Sequence, residues 1–185
     1  VGFGKTEISM RAAFIASYSD KQTIILSPST VLTDQHFHSF SQRFKNFPLT
    51  IARLSRNTTL KNKKKLYDDF NNKKIDILIG THSLFNEKLL FQNVGLMIVD
   101  EEHKFGVNQK ENIKQKEIDI DVLSLSATPI PRTLILALNG VRDLSMINTA
   151  PENRIPVNTY LSEFSEDLIR AVSYTHLRAH ETGYN

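Results

Sequence analysis

The 185 residues contain no cysteine and no tryptophan. Without cysteine there is no disulfide framework and no thiolate metal site, and the usage agrees with a reducing, cytoplasmic setting, which is the expectation here. Glycine and proline are scarce, at 7 and 6 residues, which excludes collagen-like sequence and Pro/Gly-rich linkers. No apolar run approaches the roughly 18 residues that a membrane-spanning helix needs, so no membrane role is expected. Nor does either sign of charge dominate: 23 Lys and Arg stand against 20 Asp and Glu, a net charge of +3. Such a balance permits a nucleic-acid partner without demanding one. Hydrophobic residues at 40% and charged residues at 23% are ordinary globular usage, and the length fits one domain or one domain plus the edge of another.

What is present is organised around the first seven residues, Val1, Gly2, Phe3, Gly4, Lys5, Thr6 and Glu7. A phosphate-binding loop reads as a glycine, four residues, then Gly-Lys-Ser/Thr at a helix start. Its backbone N–H groups wrap the phosphates, the lysine reaches the β- and γ-phosphates, and the hydroxyl ligates Mg²⁺. Gly4, Lys5 and Thr6 supply the second half of that pattern. The first glycine would fall one residue before Val1, so the chain is expected to be a fragment that begins inside the motif. A Gly-Lys-Thr tripeptide by itself arises by chance in many proteins, and context has to support it. Downstream, Ile8, Ala12, Ile15 and Ala16 recur at helical spacing, which predicts a helix over 7–18 with those residues towards the core.

Short apolar runs alternate with helical patterns along the rest of the chain. Strands are predicted over 23–27, 49–54, 75–79, 94–99 and 122–125, with helices over 31–45 and 60–70. The second helix is expected to bury Phe37, Phe40 and Phe44, and the third Leu66, Tyr67 and Phe70. That alternation calls for an α/β fold, a mostly parallel sheet with helices on both faces. In such sheets ligand-binding residues gather at the carboxyl ends of the strands. Four polar clusters follow strands directly: Pro28-Ser29-Thr30, Gly80-Thr81-His82, Asp100-Glu101-Glu102-His103 and Ser126-Ala127-Thr128. One sheet edge is therefore expected to carry them all.

Asp100 and Glu101 supply what a phosphate loop lacks. An acid at a strand tip can hold the Mg²⁺ that Thr6 also ligates, and the next carboxylate can orient and deprotonate a water. His103 is placed to hydrogen-bond Ser126 or Thr128, although a lone histidine is more often structural. Ser126-Ala127-Thr128-Pro129 has the composition of a small-residue turn closed by proline. The lysines between 61 and 65 are read as a solvated helix face. His176, His180 and Glu181 have metal-like spacing but no third ligand in an apolar frame.

Gly-Phe-Gly-Lys-Thr at 2–6, Asp-Glu-Glu-His at 100–103 and Ser-Ala-Thr-Pro at 126–129 resemble motifs I, II and III of the superfamily 2 helicases and translocases. The longer strings 99–107 and 125–134 resemble the RecG-like group, which holds the fork-remodelling helicases and the bacterial transcription-repair coupling factors. Glu102, the 2–7 loop, Leu54-Ser55-Arg56 and Arg142-Asp143-Leu144-Ser145 are similar to the coupling-factor branch. The resemblance runs from Val1 to about Ala171. It implies a RecA-like P-loop NTPase lobe over 1–150 and the start of a linker or second lobe over 151–171; residues 172–185 do not continue the family pattern and are expected to be a non-native tail.

The resemblance also implies roles. Gly2, Phe3, Gly4, Lys5, Thr6 and Glu7 would surround ATP, Thr6 and Asp100 would hold Mg²⁺, and Lys5, Asp100 and Glu101 would be catalytic. His103, Ser126 and Thr128 would couple hydrolysis to movement. Pro28, Ser29, Thr30, Gln35 and His36 correspond to motif Ia and Gly80, Thr81 and His82 to motif Ib; with Arg132 they would follow the backbone of double-stranded DNA without reading its sequence. The implied activity is an ATP-dependent double-stranded DNA translocase that displaces stalled RNA polymerase and promotes excision repair, reaching the polymerase and repair proteins through other parts of the molecule. By itself the fragment is expected to be inactive for lack of the second lobe. The alternatives are a fork-remodelling helicase of the RecG type and a degenerate nucleotide- or DNA-binding module. The intact Gly4-Lys5-Thr6 and Asp100-Glu101 stand against the last.

Overall fold

The structure is a computed structural model that describes residues 2–55, 58–85, 88–106, 120–127, 143–149, 151, 161 and 163–178. The chain divides into two compact units, Val1–Glu152 and Asn153–Asn185.

Five strands build the first unit: β1 (Gln22–Leu26), β2 (Ile51–Leu54), β3 (Ile77–Gly80), β4 (Val94–Asp100) and β5 (Asp121–Leu125). They pair in the order β2-β3-β1-β4-β5, and every pairing is parallel. Parallel pairing requires crossovers, and three helices supply cover: α1 (Lys5–Tyr18), α2 (Thr30–Arg43) and α3 (Leu60–Asn71).

Period-two alternation sends successive strand residues to opposite faces. Ile25, Ile77, Ile79, Leu96 and Ile98 face one side, where Met10 and Ala13 of α1 and Phe40 and Phe44 of α2 cover them. Ile24, Leu26, Leu78, Met97 and Val99 face the other, beneath Tyr67 and Phe70 of α3 and Leu84. The placement follows the right-handed rule: the β1-α2-β2 crossover moves one way along the sheet, β2-α3-β3 moves back, and their helices fall on opposite faces. Burial raises the Tyr67 phenol above its usual pKa, because the ionised form would lose its hydration.

Each predicted strand and helix is present with ends within about two residues, the scatter expected of such boundaries. The buried side of α1 differs. Ile8 and Ile15 are exposed, and Ser9, Met10 and Ala13 point inward instead. Apolar residues occupy every position from 12 to 16, so spacing alone leaves the phase of this helix undetermined. Ser9 is tolerated inside because its hydroxyl donates to the Thr6 carbonyl at 2.6 Å.

The described part of the second unit contains α4 (Glu166–Arg178), whose first turn carries Glu166 and Asp167. Ser165 caps it, its Oγ accepting from Leu168 N at 3.4 Å. This helix runs through residue 172 without a break. Among the described residues, no helix is long and apolar enough to cross a membrane.

Candidate functional site

The strands end level with one another. Leu26 of β1 is in register with Gly80 of β3 and Val99 of β4, and Asp100 is in register with Leu125 of β5. The ladder runs one residue further on both sides, with Ser27 N donating to Gly80 O at 2.9 Å and Glu101 N to Leu125 O at 2.8 Å. The segments after β1, β3, β4 and β5 therefore share one sheet edge, as the sequence predicts.

Helix α1 begins at that edge. Gly4 caps it with φ 80° and ψ 17° and offers no side chain, and an added Cβ would meet nothing within 4 Å. Backbone conformation, not crowding, favours glycine there. An uncapped helix start exposes N–H groups and the positive end of the dipole, the elements of an anion site.

Lys5, the first residue of α1, reaches across to the tip of β4, where its Nζ donates to Glu101 Oε1 at 2.7 Å. Both side chains are at least four-fifths buried. Glu101 adopts a left-handed backbone, φ 51° and ψ 54°, unusual for a residue with a side chain. Its carboxylate is held from three more directions. Ala127 N donates to Oε1 at 3.1 Å, Ser126 Oγ lies 3.5 Å from Oε2, and His103 Nδ1 lies 3.3 Å from Oε2. Thus His103 meets Glu101 directly, where the sequence suggested Ser126 or Thr128 as its partner.

Asp100 is held separately. His36 Nε2 stands 2.9 Å from Asp100 Oδ2, with both side chains close to nine-tenths buried. The sequence grouped His36 with Gln35 on a nucleic-acid face; the structure turns His36 inward and leaves Gln35 exposed. Glu7, expected near nucleotide, pairs with Arg11 at 3.0 Å and with Arg43 of α2 at 2.9 Å.

Thr6 and Asp100 line one cleft of about 660 Å³ together with Leu32, Gln35, His36 and Ser39 of α2. A hydroxyl and a carboxylate are the hard oxygen donors that Mg²⁺ prefers, and one or two such protein ligands, completed by water and phosphate oxygens, is its usual mode of binding. Among the described residues no group of three or more His, Cys, Asp or Glu could cage a metal. The donor set fits Mg²⁺ carried by a phosphate ligand rather than a dedicated protein cage.

Most of the remaining sequence-predicted residues that the structure describes lie along the same edge. Ser29 caps α2, its Oγ accepting from Leu32 N at 3.3 Å, and Thr30 begins that helix. Pro28 is half-buried, Gly80 and Thr81 are buried, and His82 is exposed at the start of a single 3₁₀ turn. Gly2 is exposed and Phe3 half-buried. Thr128 and Arg132 lie outside the described residues. No period or spacing signals the Lys5–Glu101 and His36–Asp100 contacts, whose partners stand 96 and 64 residues apart.

The chain is 50% identical over 169 residues to the transcription-repair-coupling factor of Haemophilus influenzae, covering 91% of this chain and 15% of that protein. Against the transcription-repair-coupling factor of Borreliella burgdorferi it is 49% identical over 170 residues, 92% of this chain and 15% of that one. It spans about 15% of the length of these curated relatives. Its fold is similar to that of RecG bound to a three-way DNA junction, with a TM-score of 0.77 and 32% identity over 98% of this chain and 24% of the other. The profile of the DEAD/DEAH box helicases matches residues 1–136, a span that takes in all five strands and the clusters at their ends, and the chain belongs to that family.

Proposed function

We propose that this chain is the first motor lobe of an ATP-driven double-stranded DNA translocase of the transcription-repair coupling type. The observation that carries the reading is the junction of Lys5, Asp100 and Glu101 at one sheet edge beside an uncapped helix start. Identity near 50% with two coupling factors, against 32% with RecG, favours the coupling branch.

ATP supplies a scissile phosphoanhydride, and its bound Mg²⁺ offsets the phosphate charge. Gly2, Phe3 and Gly4 shape the loop, and the α1 N–H groups receive the anion. Thr6 and Asp100 offer oxygens to the metal. Lys5 is held by Glu101 at 2.7 Å. Were a bound phosphate to draw Lys5 away, Oε1 would keep Ala127 N as donor and have a lone pair open to accept a proton from water, so one residue would be both the resting place of the lysine and the general base. Ser126, Ala127 and His103 keep that carboxylate oriented, and any movement of the segment after β5 that bears Ser126 is felt at Glu101. Thr128 acts in the same segment.

On the DNA side, Pro28, Ser29, Thr30, Gln35, Gly80, Thr81, His82 and Arg132 follow phosphates without reading bases. His36, turned inward onto Asp100, is not among them. The lobe occupies 1–150, a linker or second lobe begins over 151–171, and 172–185 is a non-native tail. The second lobe supplies arginines for the transition state, so the lobe by itself is inactive. RNA polymerase and excision-repair proteins are met through other parts of the parent, in the cytoplasm.

The test is ATP-dependent release of a stalled RNA polymerase from DNA by the full-length protein, with Lys5→Ala as the blank. Release that vanishes in the variant is the expected result. No release, together with ATP-driven regression of a model fork, would move the protein to the RecG type, which the structural similarity to RecG makes the second reading. Undetectable ATPase activity from the full-length protein would instead mark a binding module.

A further inference from the structure

Asp100 has two carboxylate oxygens, and among the described residues only one of them is engaged. Oδ2 accepts from His36 Nε2 at 2.9 Å. Among the described residues, Oδ1 accepts no hydrogen bond. A carboxylate left alone turns easily about its last torsion and exchanges its two oxygens. One donated N–H removes that freedom.

The donor is itself fixed. Its ring meets the fully buried Phe40 edge-on, with centroids 6.5 Å apart and planes at 80°. The helix that carries it is pinned to β1 by the Ser27–Thr33 hydroxyl pair at 2.7 Å and capped by Ser29. Both partners are close to nine-tenths buried, where an unmade hydrogen bond is expensive. The pair also borders the cleft that Thr6 shares with Asp100.

We propose that His36 is a positioning residue for Asp100: Nε2–H holds Oδ2 so that Oδ1 is the oxygen offered to a divalent cation beside Thr6. The proposal rests on the reading of Asp100 as a metal ligand. It gives α2 a second duty, because the helix whose N-terminus is assigned to the DNA backbone also carries, two turns on, the group that sets the metal ligand. Partners that orient a ligating carboxylate are worth roughly 10- to 100-fold in metal affinity when removed.

The readout is the affinity of the full-length protein for a fluorescent, non-hydrolysable ATP analogue, measured in EDTA and in Mg²⁺, and expressed as the gain that Mg²⁺ confers. His36→Leu should lower that gain roughly tenfold and leave the EDTA affinity unchanged, whereas His36→Gln, which returns an N–H at similar reach, should stay within about threefold of the wild type. A full Mg²⁺ gain in His36→Leu overturns the proposal. Asp100→Asn separates the two readings. If it loses the gain while His36→Leu keeps it, only the positioning role falls; if it too keeps the gain, the metal-ligand reading falls and the proposal with it. Should His36→Leu lose EDTA affinity through misfolding, His36→Asn, polar but too short to reach Oδ2, replaces it as the removal variant, with the same two outcomes.

Discussion

Glu101, proposed above as the general base, combines a heavily engaged side chain with a strained backbone. A residue with a Cβ at φ 51° pays a conformational penalty of about 1 kcal/mol or more, and such outliers persist where the surroundings over-determine them. Here the surroundings are visible: the backbone N–H on Leu125 O, Lys5 and Ala127 N on Oε1, and His103 beside Oε2. Glu101→Gln keeps the side-chain shape and an oxygen for Lys5 but removes the base. Turnover by the full-length protein should fall by roughly 10²- to 10⁴-fold while nucleotide affinity is kept. ATPase assays beside equilibrium binding check this, and normal turnover by the Gln variant would sink the assignment of the base. The sequence showed Asp100 and Glu101 as a pair of neighbours. It did not show that they belong to different partners, because His36 and Lys5 reach them only through tertiary contacts.

At the level of elements, tight joints at the carboxyl edge decide where the site residues stand. Gly80 ends β3, and a Cβ there would lie 2.9 Å from Leu84 Cγ, on a side chain that is fully buried. The 3₁₀ turn His82–Leu84 thus packs against the strand end itself. Gly80→Ala must push Leu84 into an occupied core and should destabilise the lobe by about 1–3 kcal/mol. Urea unfolding of the variant measures this; a midpoint unchanged within error would show that Leu84 has room to move. The helices teach a related lesson. Phe40 and Phe44 of α2 were legible because polar residues separate them and fix the phase of the apolar stripe. In α1 the continuous apolar stretch does not, and only the sheet beneath it selects Met10 and Ala13.

Over the 185 residues of this chain taken together, a net charge of +3 gives only weak long-range attraction to the DNA proposed as partner. Binding is therefore expected to come from local contacts to phosphate at the strand ends, made by backbone and hydroxyl groups as much as by cations. The full-length protein should bind two unrelated duplexes of equal length with affinities that agree within about threefold, and should lose well over tenfold in affinity between about 50 and 200 mM salt. Filter binding or fluorescence anisotropy decides the matter. A preference of a hundredfold for one duplex would contradict a sequence-blind track.

The order of apolar runs and polar clusters determined much of this protein by itself. Strand and helix periods are local properties, right-handed crossovers follow from chirality, and a parallel sheet must end its strands on one side. Together they place Lys5, Ser29, Thr81, Asp100 and Ser126 on one edge before any coordinate is known. Tertiary structure decided the rest: which face of α1 is buried, that Lys5 rests on Glu101, and that His36 turns inward onto Asp100. The reason is range. A contact between residues 64 or 96 positions apart has no period and no spacing to betray it, and comes into being only when the sheet has set the register of β1 against β4.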